Sequence, residues 1–321
     1  MHRSEFREME IRMNIITGTL DFELHTEVAV AMGKFDGLHV GHRRLIEEIL
    51  AKKEQGLSAC VLTFDPSPAV FFGFSDGKEL TTKEEKRELF AAMGVDVLVE
   101  FPMNQETAAM SGEEFIREVL VKRMHTTWIA AGKDVSFGDR GAGNEALLRK
   151  LAKELGYGVT TIDKLKVEDR EVSSSYVRSL VENGDVERAS KFMGMPYTIM
   201  GTVEHGKKLG RKLGMPTLNL IPPASKLLPP NGVYFSKVCV QGKEYNGISN
   251  IGCKPTVSEE KVIGIESFLY DFDRDIYGEN IEVQLLGFKR PEIHFESVEH
   301  LKVQMEADIA EGRKFHLNGI S

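Results

Sequence analysis

Residues 28–50 read VAVAMGKFDGLHVGHRRLIEEIL, and the order of residue types along this stretch decides the first half of the fold. Val28 to Met32 is a continuous apolar run, the pattern of a strand buried on both faces. Leu45, Ile46, Ile49 and Leu50 recur at helical spacing. Between the two, Gly33, Gly37 and Gly41 let the backbone pass close to a ligand. His39 and His42 stand at the helix start, where unpaired N–H groups and the helix dipole favour anions. Strand, glycine turn, paired histidines and helix together make a site for a nucleoside triphosphate that needs no Walker lysine. A glycine turn with two surface histidines is the plain alternative, better suited to one lone histidine than to an H-x-G-H element between strand and helix. Zinc is the weaker one, because a histidine pair on a helix calls for i,i+4 spacing and a third ligand.

The chain has 321 residues, room for two domains of roughly 100–200 residues each. With 41% hydrophobic and 28% charged residues it has the composition of a soluble globular protein. No apolar stretch reaches the length of a membrane span, and the charged start MHRSEFREMEIRMN lacks the apolar core of a secretory signal. Cys60, Cys239 and Cys253 are odd in number and far apart, as expected of buried thiols in a reducing cytoplasm. A net charge of −8 argues against general nucleic-acid binding.

Apolar strands then alternate with helical patterns. Strands are predicted at 59–64, 95–99, 127–131 and 158–162. Asp65-Pro66-Ser67-Pro68 stops the first of them. Helices are predicted from Thr82 to Met93, from the capping box Ser111–Glu114 to Arg123, and up to Leu155, with a glycine-rich loop at 138–143. This alternation predicts an α/β domain with a parallel sheet covered on both faces and its ligand at the carboxyl ends of the strands. A helix from Ser174 to Asn183 ends at Gly184, and Asp185 caps another. From Tyr197 the pattern is all-β, with strands at 197–203, 216–221, 232–240, 243–249, 262–270 and 281–288. Leu301, Met305 and Ile309 mark a last helix over about 297–311. The second domain is therefore expected to be a small antiparallel β-barrel with a terminal helix, with the domains spanning 14–185 and 186–321.

Two further motifs carry chemistry. In VSSSYVRSL, residues 172–180, Ser174 and Ser175 open a helix and Arg178 follows one turn later. The group suits the β- and γ-phosphates of ATP, or is an N-cap with a solvent-facing arginine. In GKKLGRKLGMPTLNL, residues 206–220, Gly206, Gly210 and Gly214 alternate with Lys207, Lys208, Arg211 and Lys212. After Pro216, Thr217 and Asn219 share one strand face. A hydroxyl and an amide so placed can hold Mg²⁺ and phosphate oxygens, or form the polar face of an ordinary strand.

The pair H-x-G-H and S-S-x-x-R resembles that of bacterial FAD synthetases, the adenylyltransferase half of the bifunctional riboflavin kinase/FAD synthetase family. Gly132-Lys133-Asp134-Val135-Ser136-Phe137-Gly138 resembles that family's G-x-(D/N)-F-x-F-G motif, with departures at Val135 and Ser136. Ser67 stands where the family has a histidine. The P-T-x-N stretch, Gly232-Val233-Tyr234, Ser249–Thr256, Glu266, Asp275–Gly278 and Arg290-Pro291-Glu292 resemble the riboflavin kinase module in order and spacing. The resemblance covers about residues 14–318 and implies a Rossmann-like nucleotidyltransferase domain before a riboflavin-kinase-like barrel. It implies that ATP phosphorylates riboflavin to FMN and then adenylylates FMN to FAD. It implies catalytic roles for His39, His42, Arg178 and Glu266, the last as general base for the ribityl hydroxyl. It implies ligand contacts at Gly33, Phe35, Asp36, Gly37, Asp134, Ser174, Ser175, Gly206, Lys207, Gly210, Arg211, Gly214, Pro216, Asn250 and Arg290, with Mg²⁺ at Thr217 and Asn219. Asp134 either contacts metal or substrate or caps its loop. Small molecules (riboflavin, FMN, ATP) are the expected partners, in the cytoplasm, with no nucleic acid or membrane and with an oligomer allowed but not required. The rivals are a family member with one active half, a flavin-responsive regulator, and a transferase with another acceptor.

Overall fold

In the computed structural model, which describes residues 13–206, 210, 213–254 and 262–319, the chain forms two compact units that part between Ser174 and Ser175. In the first, β1 (Asn14–Thr17), β2 (Val28–Met32), β3 (Ser58–Asp65), β4 (Val97–Pro102), β5 (Thr126–Gly132) and β6 (Gly158–Ile162) make one sheet. Their order is β1-β4-β3-β2-β5-β6, and neighbours pair in parallel. Around it lie α1 (Val40–Ala51), α2 (Pro68–Phe71), α3 (Lys83–Met93), α4 (Gln105–Ala109), α5 (Gly112–Glu114) and α6 (Glu145–Leu155). A small hairpin, β7 (Lys166–Val167) and β8 (Arg170–Glu171), follows.

The apolar run 28–32 is buried at every position, because β2 lies between β3 and β5. From β2 the chain moves outward to β3 and β4, and later returns to add β5 and β6 on the other side. The strand order therefore reverses beside β2, and the crevice outside the carboxyl ends of β2 and β5 is the topological switch point. One strand of the sheet was not foreseen, nor were the two of the small hairpin. β1 is four residues long, NIIT, at the sheet edge, with a mostly exposed pattern that carries no alternation. The helix expected from Ser111 to Arg123 is present, but α5 widens into a π-helix over Phe115–Arg123. At the carboxyl end of β4, buried Glu100 takes Arg87 through two hydrogen bonds, at 2.8 and 2.6 Å, and Lys83 at 3.2 Å. Lys83 also pairs with Asp65.

The second unit begins within α7 (Ser174–Glu182), one residue past its start, and continues through α8 (Val186–Met193) to a closed barrel. Its strands are β9 (Tyr197–Glu204), β10 (Leu218–Leu220), β11 (Gly232–Val240), β12 (Lys243–Lys254), β13 (Val262–Leu269) and β14 (Asn280–Pro291). They close antiparallel in the order β10-β13-β12-β11-β14-β9. The strand expected at 216–221 shrinks to 218–220, since Pro216 has no N–H for a ladder. Those expected to end at 249 and 288 run on to Lys254 and Pro291, because their partners keep pairing that far. Of the cysteines, Cys60 is buried, but Cys239 is half-buried and Cys253 exposed, so burial holds for one of the three. Cys253 lies near the end of β12, where the barrel wall runs out.

The terminal helix α9 (Val298–Leu317) corrects the expected apolar stripe. Leu301, Met305 and Ile309 are only half-buried, whereas Asp308 and Gly312 are buried. Arg290 Nε and its terminal NH2 group reach the Asp308 carboxylate at 3.1 and 2.6 Å, Lys289 lies at 3.2 Å, and Gln304 donates at 2.9 Å. Burial pushes the Asp308 carboxyl up, and the hydrogen bonds from Arg290 and Gln304 more than reverse this, leaving it below the usual carboxylate range. Removing one partner of a buried ion pair leaves an uncompensated charge. Asp308→Ala is expected to cost the barrel about 3 kcal/mol in urea unfolding, and a loss under about 0.5 kcal/mol would show that the apolar contacts alone hold α9.

Candidate active sites

The stretch 33–42 fills the switch point. Gly33 N–H donates to Leu62 O at 3.1 Å, extending the sheet by one step. Gly37 has φ +81°, and a Cβ there would meet Leu80 Cδ1 at 2.9 Å. Phe35 (φ 51°) and Leu38 (φ 41°) adopt the left-handed region without being glycine. Both are buried, at 0% and 1% exposure, so core packing holds a turn that costs about 1–3 kcal/mol per such residue. The Asp36 carboxylate accepts from Leu80 N at 2.8 Å and Thr81 N at 3.4 Å, tying the loop to the approach of α3. The Asp36 carbonyl accepts from Ser174 Oγ at 2.8 Å, which joins the first serine of the S-S-x-x-R motif to the H-x-G-H loop.

His39 is the N-cap of α1, and its Nδ1 accepts from His42 N–H at 3.3 Å. The two imidazoles stack with centroids 3.7 Å apart and planes 9° apart. Phe35 closes on His42 from another side, centroids 5.1 Å apart. Burial lowers the His39 pKa to about 4, against smaller opposing effects of its own backbone hydrogen bond, Asp36 and Asp134. Burial also pushes His42 well below its ordinary value, reinforced by His39 and by the Lys86 ammonium. Both rings are therefore neutral at pH 7. Because His39 Nδ1 is an acceptor, its proton sits on Nε2. His42 Nδ1 is buried without a partner, which favours the same tautomer. The first turn of α1 carries no acidic residue, so its dipole is left to favour an anion.

Asp134 follows β5, across the same crevice. Its carboxylate pairs with Lys164 at 3.2 Å and remains 65% exposed. Phe137 is buried against Phe115, so the departures at Val135 and Ser136 leave the loop anchored. Lys133 pairs with Asp163 at 2.7 Å, and Ser67 caps α2. Ser175 is exposed and Arg178 half-buried on α7.

On the barrel, Asn219 of β10 pairs with Glu266 of β13, and Glu266 with Asn250 of β12. Directly paired residues project to the same face. The neighbouring positions Ser236, Ser249 and Ser267 are buried and link hydroxyls across three strands at 2.8 and 2.7 Å, so they fill the interior and Glu266 stands outside. The Asn219–Glu266–Asn250 row is thus an outward polar face. Gly206 lies against it, for a Cβ there would strike the Asn219 amide. Gly210 comes close to Thr217, whose Oγ1 would lie 3.4 Å from a Cβ at position 210. Gly214 turns the chain at φ +79°, and Pro216 is exposed just before β10. Arg290 faces Val233 in register, but its guanidinium is committed to Asp308 and to Pro291 O at 2.9 Å. Lys207 and Arg211 lie outside the described residues, as do Lys208, Lys212 and Thr256.

Sequence reasoning passed over Lys86, a buried lysine paired with Glu79 at 2.8 Å. A lysine within a helix reads as a solvated one, and only the packing of α3 turns it inward.

An imidazole pair at the switch point of a parallel sheet, followed by a barrel with an amide and carboxylate face, is the frame of a two-part nucleotide-using transferase. Comparison with known proteins narrows the class. The FAD synthetase family model matches residues 21–176, and the riboflavin kinase family model matches residues 193–316. The bifunctional riboflavin kinase/FMN adenylyltransferase of Listeria monocytogenes is 37% identical over 291 residues, covering 89% of this chain and 91% of its own. That of Bacillus subtilis is 35% identical over 303 residues, covering 92% and 95%. A crystal structure from Streptococcus pneumoniae, titled a macrolide-efflux protein, is 28% identical with a TM-score of 0.81, covering 92% of this chain and 97% of that one. Efflux is said of that protein; here, among the described residues, no helix is long and apolar enough to cross a membrane. The chain belongs to the bifunctional riboflavin kinase/FMN adenylyltransferase family.

The depressed imidazoles make the first unit acid-sensitive. An unfolded chain binds a proton at His39 near pH 6.5, whereas the folded chain resists to about 4. The stabilisation is complete above pH 6.5 and lost as pH falls from 6.5 towards 4. For His39 the loss is on the order of 3 kcal/mol by pH 4. Urea unfolding at pH 7.5 and 4.5 should show a smaller pH difference in His39→Asn than in the parent. An equal difference would mean that His39 is not held neutral.

Proposed function

We propose that the chain phosphorylates riboflavin with ATP on its barrel and adenylylates FMN on its parallel-sheet unit, releasing pyrophosphate. The observation that carries this reading is that each unit holds its own polar constellation on an intact frame. One is the stacked neutral imidazoles at the switch point. The other is the outward Asn219–Glu266–Asn250 row.

In the adenylyl step a phosphate oxygen of FMN attacks the α-phosphorus of ATP. The new P–O bond forms as the bond to the bridging oxygen breaks, and pyrophosphate leaves. Such a transfer needs position and charge stabilisation more than a protein nucleophile. His39 and His42 offer Nε2–H donors that are already desolvated, so little reorganisation accompanies the reaction. The role of Ser175 and Arg178 on the outer phosphates is proposed from the resemblance of the S-S-x-x-R motif alone. Gly33, Gly37 and Asp36 shape the turn, and Phe35 supports the His42 ring.

In the kinase step Glu266 accepts the proton of the terminal ribityl hydroxyl as that oxygen attacks the γ-phosphorus and ADP leaves. Thr217 and Asn219 are proposed to hold Mg²⁺ with the ATP phosphates. Two neutral oxygens suit that ion, which is commonly held by a few protein oxygens together with substrate phosphates and water. Among the described residues no group of three or more His, Cys, Asp or Glu offers a separate cage. When bound, the ion neutralises phosphate charge. Gly206, Gly210 and Gly214 allow the loop to approach this pair, and Lys207 and Arg211 are proposed as its cations. Small-molecule partners and a cytoplasmic setting accompany this reading.

Product analysis after incubation with riboflavin and Mg-ATP is expected to find both FMN and FAD. Glu266→Ala should lower FMN formation by about 10²–10⁴-fold, the contribution of a positioned base, while FMN plus ATP still yields FAD. His42→Asn should do the reverse. Normal riboflavin phosphorylation by Glu266→Ala would refute the base assignment, and FMN without FAD from the parent would refute the two-activity reading.

A further inference from the structure

One carboxylate beside the barrel's polar row has no role in the steps above. Glu292 follows β14 and is exposed. Its Oε2 accepts from Asn231 Nδ2 at 3.0 Å. Its Oε1 rests on the bare Cα of Gly252, inside the volume that a side chain there would fill. The Asn250 amide nitrogen borders the same volume at 3.2 Å. A residue other than glycine at 252 would therefore push the Glu292 carboxylate away.

Gly252 pairs with Gly264, and Asn250 pairs with Glu266. Residues two apart on a strand share a face. These four positions thus form one patch outside the barrel, a glycine pair next to an amide–carboxylate pair. Diagonal positions in such a patch are about 7–8 Å apart. Glu266 occupies one corner, and the Glu292 carboxylate lies over the opposite one. Two carboxylates flank one amide above a floor that has no side chains at its glycine end.

We propose that Glu292 is a substrate-binding residue of the kinase reaction, its carboxylate accepting hydrogen bonds from inner hydroxyls of the ribityl chain while Glu266 faces the terminal one. The inference rests on the riboflavin kinase reading of the barrel. An extended polyol presents donors at successive carbons, and two carboxylates spaced across bare backbone meet it at two points. Asn250 lies between them, with a donor for a hydroxyl oxygen. Asn231 fixes one oxygen of Glu292 and leaves the other to the substrate. A hydrogen bond to a charged acceptor exceeds one to a neutral amide, so the carboxylate also selects a hydroxylated chain over a plain alkyl one.

The test is Glu292→Gln in the full chain. The change keeps the shape and the acceptor that Asn231 uses, so the fold is retained, as adenylylation of added FMN at the parental rate would verify. KM for riboflavin should rise about tenfold, with KM for ATP unchanged and kcat altered far less. A flavin bearing an unbranched ω-hydroxypentyl chain supplies the second arm. The parent should lose about tenfold in kcat/KM on this analogue, and Glu292→Gln should bring no further loss. A riboflavin KM within twofold of the parent overturns the proposal, and so does an equal penalty on both flavins, which would make Glu292 a strand staple. A parent that leaves riboflavin unphosphorylated overturns the kinase reading itself, an outcome distinct from either.

Discussion

The His39 imidazole closes the first turn of α1 by accepting from His42 N–H, and in doing so lies flat on the His42 ring. This one contact sets the direction of both rings and the tautomer of His39, while burial sets the charge of the pair. It holds only if the chain leaves β2 through a turn that crowds Phe35 and Leu38 into left-handed backbone. That turn in turn requires the Asp36 bridge to Leu80 and Thr81. The site is therefore a consequence of how β2, its turn and α3 pack, with little left to the side chains alone. Desolvation keeps the imidazoles neutral, and neutrality lets them donate to phosphate without the large field of a fixed cation.

The barrel solves a similar problem by register. A closed sheet fixes which residues stand side by side, and here it aligns Asn219, Glu266 and Asn250 on one outer face while three serines join hydroxyls inside. The same closure places bare glycines next to that row. The α9 helix is fastened by Asp308 to Lys289 and Arg290 at the end of β14, so the strand that leads into Glu292 is held from outside the barrel.

Much of this was legible in the sequence because it follows local rules. The run 28–32, the H-x-G-H turn and the capping signal at Ser111 each specify their own element. What escaped depended on partners far along the chain. β1 shows no pattern of its own and exists through pairing with β4. The stripe Leu301, Met305 and Ile309 has helical spacing, but burial follows the Arg290–Asp308 pair, which spacing does not encode. Arg290 was expected to meet a ligand, yet its guanidinium meets α9. The Thr217–Asn219 face was read from a two-residue alternation, whereas the alignment of Asn219 with Glu266 and Asn250 needed the register of two more strands. Lys86 was hidden for the same reason, since only tertiary packing turns it towards Glu79.

The central claim is that the histidine pair is neutral and preset before any nucleotide arrives. Nitrogen-15 NMR of the imidazoles in the full chain measures this directly, since the two ring nitrogens report protonation and tautomer separately. His39 is expected to remain neutral, with its proton on Nε2, from pH 7 down to near its value of about 4. Half-protonation of His39 close to the ordinary 6.5, or a proton on Nδ1 at neutral pH, would contradict the account.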